Sequence, residues 1–312
     1  MKNAKCFILF ACLYLGALGL SGQAKLTIDA VYLVQSDNSR LVLENTQFVN
    51  NGSYLSNSST LVVRGDSSDV HSAIGGDSIS TFYYLEIKKT TNGVQLQQNI
   101  QVNSELFMQG GNLDLNGDTL TLGPNASIEA ESNEQRVVGP NGGLLQQTVI
   151  LNAPTNDCPG NLGICISSDK NLGSTLIQRL HVPQNLNDTV SIARSFQIFP
   201  TNNSDLNASI LMTYLDAELI AIGEADLDSW RRDSTFWYNP QGSSLDTALN
   251  WFTLDSVQFL SHWTLSPAAP KLEIRALLAG PHNGVTGEMN DDLRSADFIP
   301  SSEPYAGSGY TH

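Results

Sequence analysis

The chain has 312 residues, of which 15% are charged and 41% are hydrophobic. Its 31 acidic residues outnumber its 16 basic ones, so the formal net charge is −15 at pH 7. A surface of this sign repels phosphate groups, which makes nucleic acids and anionic lipid surfaces poor partners.

The first 24 residues have the pattern of a secretory signal peptide. Lys2 and Lys5 precede an apolar run over residues 6–20, and small residues precede a predicted cut after Ala24. The run is shorter than the roughly 20 residues that span a bilayer. We therefore predict a cleaved segment 1–24, no membrane insertion and a secreted or cell-surface location. Cleavage leaves 14 basic and 31 acidic residues, a net charge of −17.

Between residues 94 and 128, apolar residues occur as pairs separated by one residue. Residues two apart share one face of a strand, and strands this short do not suit an ordinary hairpin sheet. The pairs recur every six to eight positions: Val94/Leu96, Ile100/Val102, Leu106/Met108, Leu113/Leu115, Leu120/Leu122 and Ala126/Ile128. Three strands then make one coil of about 20 residues. On this reading Val94 recurs as Leu113, Ile100 as Leu120 and Leu106 as Ala126.

This rhythm predicts an all-β protein whose residues 25–143 form a right-handed β-helix-like solenoid. From residue 144 the predicted strands lengthen, over 146–151, 191–199, 209–215 and 257–265. Their spacing favours an immunoglobulin-like β-sandwich domain over 144–266. A Pro/Ala linker over 267–271 follows. We expect 272–312 to open a further β module that is truncated, with one strand over 272–278.

Two cysteines remain after the predicted cleavage, Cys158 and Cys165, in the segment CPGNLGIC. A close pair in an exported chain is expected to be oxidised, so we predict a local disulfide. The spacing is not Cys-x-x-Cys and no histidine lies nearby, which disfavours a redox or metal site.

Several segments carry a resemblance to known proteins. They are residues 111–123 (GNLDLNGDTLTLG), 161–168 (NLGICISS), 194–200 (RSFQIFP), 214–219 (YLDAEL) and 278–289 (LAGPHNGVTGEM). Together they resemble large secreted surface proteins of Bacteroidota, which are often type IX secretion substrates. The resemblance implies a compartment and an architecture rather than an activity. In such proteins the last module continues further, so we expect a chain that stops at His312 to be a fragment.

A weak calcium candidate comes from Asp114, Asn116 and Asp118, which alternate around an Asn-Gly turn. Calcium prefers six to eight oxygen ligands, so three side chains are too few and a corner turn explains the same residues. We therefore predict no metal site. The tripeptide at 64–66 matches an integrin-binding motif, but such short matches arise by chance and a Gly-Asp turn is the better interpretation.

Two further groups have the residue types of a carbohydrate site. Asp216 and Glu218 would share one strand face and could mimic paired hydrolase carboxylates, although a structural role is the better interpretation. All four tryptophans, Trp230, Trp237, Trp251 and Trp263, follow residue 225. Trp263 fits a buried strand face, whereas Trp230 and Trp237 flank Arg231 in a turn-like stretch. We expect these three residues to be exposed and to be the best candidates for glycan contact.

No pattern in the sequence indicates catalysis. The five histidines are isolated from one another, and there is no His-Glu-x-x-His, Gly-x-Ser-x-Gly or phosphate-loop motif. We predict no catalytic residues and no cofactor. The leading interpretation is a secreted or cell-surface structural or adhesive protein, with extracellular glycans or other surface proteins as partners. The alternative is an extracellular carbohydrate-binding protein, and the third is a β-helix polysaccharide lyase or glycoside hydrolase.

Overall fold

The computed structural model describes residues 24–66, 72–186, 189–233, 236–240 and 243–268. Residues 1–23 of the predicted signal peptide 1–24, most of the predicted linker and the predicted module 272–312 lie outside these residues. The described chain is almost entirely β, as the sequence predicts.

The N-terminal region is a β-solenoid of about five turns. Its strands are β1 (Ala24–Val34), β2 (Arg40–Glu44), β3 (Thr46–Leu55), β4 (Thr60–Gly65), β5 (Ser72–Gly75), β6 (Ser80–Lys89), β7 (Val94–Gln97), β8 (Ile100–Gly110), β9 (Leu113–Asp114), β10 (Thr119–Leu122), β11 (Ser127–Glu129), β12 (Val137–Val138) and β13 (Leu144–Asn152). From β1 to β10, successive strands alternate between two parallel sheets, and β11 then pairs with β8 in the second sheet. One sheet has the order β1-β3-β5-β7-β9-β12, and the other begins β2-β4-β6-β8-β10-β13.

The predicted aliphatic ladder forms the solenoid core. All twelve residues of the six predicted pairs are buried, from Val94 to Ile128. Two predicted coil repeats are confirmed, because Val94 pairs with Leu113 and Ile100 pairs with Leu120. Stacking equivalent apolar side chains on successive coils removes them from water, and this burial is the main favourable term in forming the solenoid.

The third predicted repeat is wrong. Leu106 pairs with Ile128 and not with Ala126, although Ala126 is also buried. The Ala126 N–H donates to the Gly123 carbonyl at 3.0 Å and closes a turn there. The turn makes the segment from β10 to β11 two residues longer than the matching part of β8. Strand β8 continues through that part of the coil without a break, with a shift in its register. The right-handed winding remains a prediction.

The corner at Asn116 shows why the turns carry Asn-Gly. Asn116 has φ of 50° and Gly117 has φ of 89°, both in the left-handed region that these residues tolerate best. The Asn116 side chain donates to the Leu96 carbonyl on the preceding coil at 3.1 Å. The corner therefore also ties two coils together.

After β13 the strands are antiparallel. They are β14 (Ile164–Ser167), β15 (Asn171–Leu180), β16 (Asn185–Leu186), β17 (Thr189–Val190), β18 (Ser195–Pro200), β19 (Ala208–Thr213), β20 (Leu227–Asp233), β21 (Phe236–Tyr238), β22 (Ser243–Asp246), β23 (Trp251–Val257) and β24 (His262–Pro267). Three short 3-10 helices occur at Pro159–Asn161, Asp216–Glu218 and Glu224–Asp226. The predicted strand over 257–265 is wrong, because Val257 ends β23 and β24 begins at His262.

Strand β13 joins the two regions of the fold. On one side it pairs in parallel with β10, and on the other it pairs antiparallel with β15. The second solenoid sheet thus continues as β13-β15-β18-β24-β20-β21. A separate sheet has the order β14-β19-β23-β22, and β16 pairs with β17. Buried residues such as Ile166, Ile198 and Ile210 belong to the same apolar core as the solenoid ladder.

Candidate functional site

A group of buried ionisable side chains lies where the solenoid meets the antiparallel strands. We call Glu131, Arg179, His181, Arg194 and Glu218 the junction cluster. Glu131 lies in the loop between β11 and β12, and Arg179 lies on β15 directly opposite Leu145 of β13. The pairing of β15 with β13 therefore carries the Arg179 guanidinium to the end of the solenoid.

Arg179 and Glu131 form a two-point ion pair. The two terminal nitrogens of Arg179 donate to the two Glu131 oxygens at 2.8 and 2.7 Å. One of these nitrogens also donates to the Leu162 carbonyl at 3.0 Å. The Arg179 side chain is fully buried, and the carboxylate and the carbonyl replace part of the water that the guanidinium loses on folding, whereas its Nε has no hydrogen-bond partner among the described residues.

Arg194 and Glu218 form the second ion pair of the junction cluster. Nε and Nη2 of Arg194 both donate to one Glu218 oxygen, at 3.0 and 2.9 Å. The other Glu218 oxygen accepts the Leu215 N–H at 2.9 Å. Both side chains are buried, so Glu218 has a structural role in holding the 3-10 helix Asp216–Glu218 against the strand β18.

The predicted strand-face pair of Asp216 and Glu218 is therefore wrong in its geometry. These residues lie in a 3-10 helix, where alternate side chains do not share a face. Asp216 is exposed and accepts hydrogen bonds from the side-chain amides of Asn133 and Asn250, at 3.0 and 2.6 Å. The two carboxylates thus have different partners and do not form a hydrolase-like pair.

The pKa values in the junction cluster are set by burial and by the neighbouring charges. Burial opposes ionisation of Glu131, but the charge and hydrogen bonds of Arg179, with smaller contributions from Arg194 and the Val137 N–H, lower its pKa to about 2. Burial and the positive charge of Arg179 lower the pKa of His181 well below its ordinary value. Glu131 is therefore ionised and His181 is neutral near pH 7, so neither is poised for acid–base catalysis there.

Two clefts flank the junction cluster. One has a volume of about 490 Å³ and is lined by His181, Arg136 and Glu218 together with apolar residues such as Val138. The other, of about 300 Å³, is lined by Glu131, Arg194 and Tyr214. In both clefts the carboxylates and Arg194 already have protein partners. Neither cleft therefore offers a free carboxylate of this cluster, whereas Nε2 of His181 is buried without a hydrogen-bond partner in the described part of the chain.

Trp230 and Trp237, the predicted tryptophan contacts for a glycan, are not exposed. Trp230 is 5% exposed and Trp237 is 8% exposed, and with Leu186 they form a small apolar cluster of their own. Trp230 donates its indole N–H to the Pro267 carbonyl at 3.0 Å. The expectation of exposure is wrong because 227–233 is the strand β20, paired with β24, and not a turn. Trp263 is buried in the main core, as predicted.

Arg231 is also largely enclosed by aromatic side chains. Its guanidinium lies over the rings of Phe259, Tyr238 and Trp263, at 3.9, 4.6 and 5.5 Å from the ring centroids. Cation–π contacts of this kind stabilise a partly desolvated arginine. Arg231, which we predicted as a glycan contact, therefore stacks on the protein's own aromatic rings.

A different surface of the solenoid combines aromatic and polar side chains. We call Arg40, Tyr84, Glu86, Glu105, Phe107 and Gln109 the aromatic groove, which has a volume of about 410 Å³. Tyr84 lies opposite Glu105, and Glu86 lies opposite Phe107, across the strands β6 and β8. Arg40 donates to Glu86 at 2.6 Å.

Sequence reasoning missed the aromatic groove, although a signal was present. Leu85 and Ile87 point into the core, so the alternating positions at Tyr84 and Glu86 face outward. Phe107 takes the equivalent outward position one coil later. Comparing the outward residues of successive coils, in addition to the inward ladder, would have identified the groove.

The calcium candidates are engaged within the fold. Asp114 accepts the Asn116 N–H at 2.9 Å and the Gln95 side-chain amide at 3.4 Å. Burial raises the pKa of Asp118, which disfavours its charged form. Within the described ranges, no group of three or more His, Cys, Asp or Glu side chains is arranged to hold a metal ion. The tripeptide at 64–66 begins in β4, where Arg64 pairs with Glu44 at 2.8 Å.

The predicted disulfide between Cys158 and Cys165 is confirmed. It flanks the 3-10 helix Pro159–Asn161 and closes the loop that follows β13. None of the described residues forms a helix long and apolar enough to cross a membrane. Compared with known proteins, the chain matches no family model, no curated protein and no solved structure.

Proposed function

We propose that this is a secreted or cell-surface structural or adhesive protein without catalytic activity. The observation that carries the proposal is that both carboxylates of the junction cluster pair with arginines instead of standing free. Glu131 with Arg179 connects the end of the solenoid to β15, and Glu218 with Arg194 connects a 3-10 helix to the residue before β18. Buried ion pairs of this kind can specify how packed elements meet.

Further features support an extracellular setting. A disulfide suits an oxidising compartment, and the low content of charged residues with many Asn, Ser, Thr and Gly suits a turn-rich surface protein. The same proposal includes a signal peptide, a resemblance to Bacteroidota surface proteins, and an immunoglobulin-like arrangement of the strands after β13. Its partners are extracellular glycans or other surface proteins.

The test uses protein exported by a host cell and purified from the secreted fraction. Beads coated with it should adhere to a panel of extracellular glycans or to surface-protein extracts, while releasing no reducing ends or unsaturated sugars from soluble polysaccharides. Beads coated with heat-denatured protein are the control. Turnover of any polysaccharide, or no adhesion above the control, would refute the proposal.

The aromatic groove favours carbohydrate binding as a second candidate function. Aromatic rings pack against the apolar faces of sugars, and carboxylates, amides and guanidinium groups hydrogen-bond sugar hydroxyls. Tyr84 and Phe107 are half-buried, which leaves part of each ring open to a ligand. Glu105 and Gln109 supply hydrogen-bonding groups beside them.

A glycan array tests this candidate directly. Tyr84→Ala and Phe107→Ala should each weaken binding to any glycan that the protein recognises by about tenfold. Phe199→Ala is the matched control, because Phe199 is an exposed aromatic residue on β18 outside the groove. Equal binding by all three variants would exclude the groove as the glycan site.

A further inference from the structure

The first coil of the solenoid has an open side. Among the described residues, β1 pairs with β3 alone and β2 pairs with β4 alone, so each is the outermost strand of its sheet. An outermost strand presents backbone N–H and C=O groups that can pair with another strand. The ends of stacked-coil proteins also expose the core unless something caps them.

Apolar side chains are concentrated at this open side. Tyr32 is 78% exposed, and Val31, Val34 and Val42 are exposed as well. Large apolar residues on strand edges favour association with a further strand, since burying them is favourable. The open side therefore has both unpaired backbone and apolar surface.

The charges on the two outermost strands are arranged symmetrically. On β1, Lys25 and Asp29 lie two residues before and after Thr27. On β2, Arg40 and Glu44 lie two residues before and after Val42. These positions alternate with inward residues such as Ile28 and Leu43, so all four charges face outward.

We propose that two copies of this chain associate through the open side of the first coil. The β1 strands pair antiparallel about Thr27, through a two-fold axis at that residue, which makes the contact isologous. It places Lys25 of each copy opposite Asp29 of the other, a favourable cross-strand pair.

A second copy is the occupant that the charges favour. The four charged residues of β1 and β2 sum to zero, whereas the chain as a whole carries a net charge of −15. Copies therefore repel one another over most of their surface and can approach at this neutral side. Within the described residues, neither Lys25 nor Asp29 takes part in another ion pair. The inference does not depend on the proposed function.

Sedimentation equilibrium of the exported protein, with its N terminus determined by mass spectrometry, tests the proposal. The wild type should be a dimer. With Asp29→Lys, Lys25 of each copy faces a lysine of the other copy, so the dimer contains two repulsive pairs. Association should weaken about tenfold. The double variant Lys25→Asp/Asp29→Lys restores opposite charges and should recover the wild-type affinity. Lys88→Asp, a charge reversal at an exposed position on β6, should leave the dimer unchanged.

Circular dichroism and thermal unfolding confirm that each variant is folded before its association is compared. A monomeric wild type at high concentration overturns the proposal. So does a dimer that Asp29→Lys leaves intact, or a charge swap that fails to recover association in a folded protein. A dimer seen only when residues 1–23 are retained would assign the contact to that segment and would also overturn it.

Discussion

Arg179 on β15 and Glu131 in the β11–β12 loop share two hydrogen bonds across the join between the solenoid and the antiparallel strands, at 2.7 and 2.8 Å. They are 48 positions apart in the sequence, and both side chains are buried or nearly so. Each charge compensates the desolvation of the other. Removing one partner therefore leaves an uncompensated charge in the interior.

Replacing Arg179 with Met should lower the free energy of unfolding by about 3–5 kcal/mol. The double variant Arg179→Met/Glu131→Gln should recover part of this loss, because it removes the stranded charge. Arg64→Met is the control, since Arg64 pairs with Glu44 on the surface and such pairs contribute at most about 1 kcal/mol. Urea unfolding measures all three. Similar losses for Arg179 and Arg64 would show that the buried pair is not structurally important.

A second prediction concerns pH. Burial, and to a smaller extent the positive charge of Arg232, lowers the pKa of His262 from 6.5 to about 4. Between these values the unfolded chain binds a proton that the folded protein does not. Stability should therefore fall as the pH drops from 6.5 to about 4, by up to about 1.4 kcal/mol per pH unit from this residue.

Urea unfolding at several pH values between 7.5 and 4.5 measures this slope. Near the lower end of this range the unfolded chain begins to protonate Glu131, whose ordinary pKa is 4.5 and whose folded pKa is about 2, and this contribution is common to the wild type and to a variant at position 262. His262→Gln should reduce the dependence of the free energy of unfolding on pH. His181 still contributes to this dependence in both proteins, because burial also lowers its pKa. An identical slope in the wild type and the variant would mean that His262 titrates normally when folded.

The aliphatic ladder should dominate the stability of the solenoid. Leu106 is fully buried between β6 and β11, where it pairs with Leu85 and Ile128. Leu106→Ala should cost about 2–5 kcal/mol, and Leu106→Asp more, because a carboxylate would be buried without a partner. Gln97→Ala should cost much less, since Gln97 is exposed at the end of β7. Comparable unfolding midpoints for Leu106→Ala and Gln97→Ala would contradict the ladder.

The disulfide should stabilise its own loop more than the solenoid. Replacing both Cys158 and Cys165 with Ser should lower the free energy of unfolding by about 2.5 kcal/mol or less, because the loop it closes is short. Far-ultraviolet circular dichroism should remain that of the wild type. A variant that loses its β signal at room temperature would show that the bridge supports the whole fold.

The inward ladder could be predicted because it depends on local alternation. A few neighbouring residues are enough to recognise pairs such as Val94/Leu96 and Leu113/Leu115, and strand geometry then sets which face each pair occupies. The pairing of Leu106 with Ile128 could not be predicted in the same way. This pairing depends on the number of residues in the turn at Gly123. A change of two residues leaves the same side chains facing inward, so the apolar pattern does not reveal it.

The same difference between local and long-range features applies to the candidate sites. The all-β solenoid, its corner at Asn116-Gly117 and the local disulfide could be predicted, because each depends on residues close together in the chain. The burial of Trp230 and Trp237 and the contact between Arg179 and Glu131 could not. Those outcomes depend on which strands become neighbours across the joined sheet, and pairing between distant segments leaves no local pattern in the sequence.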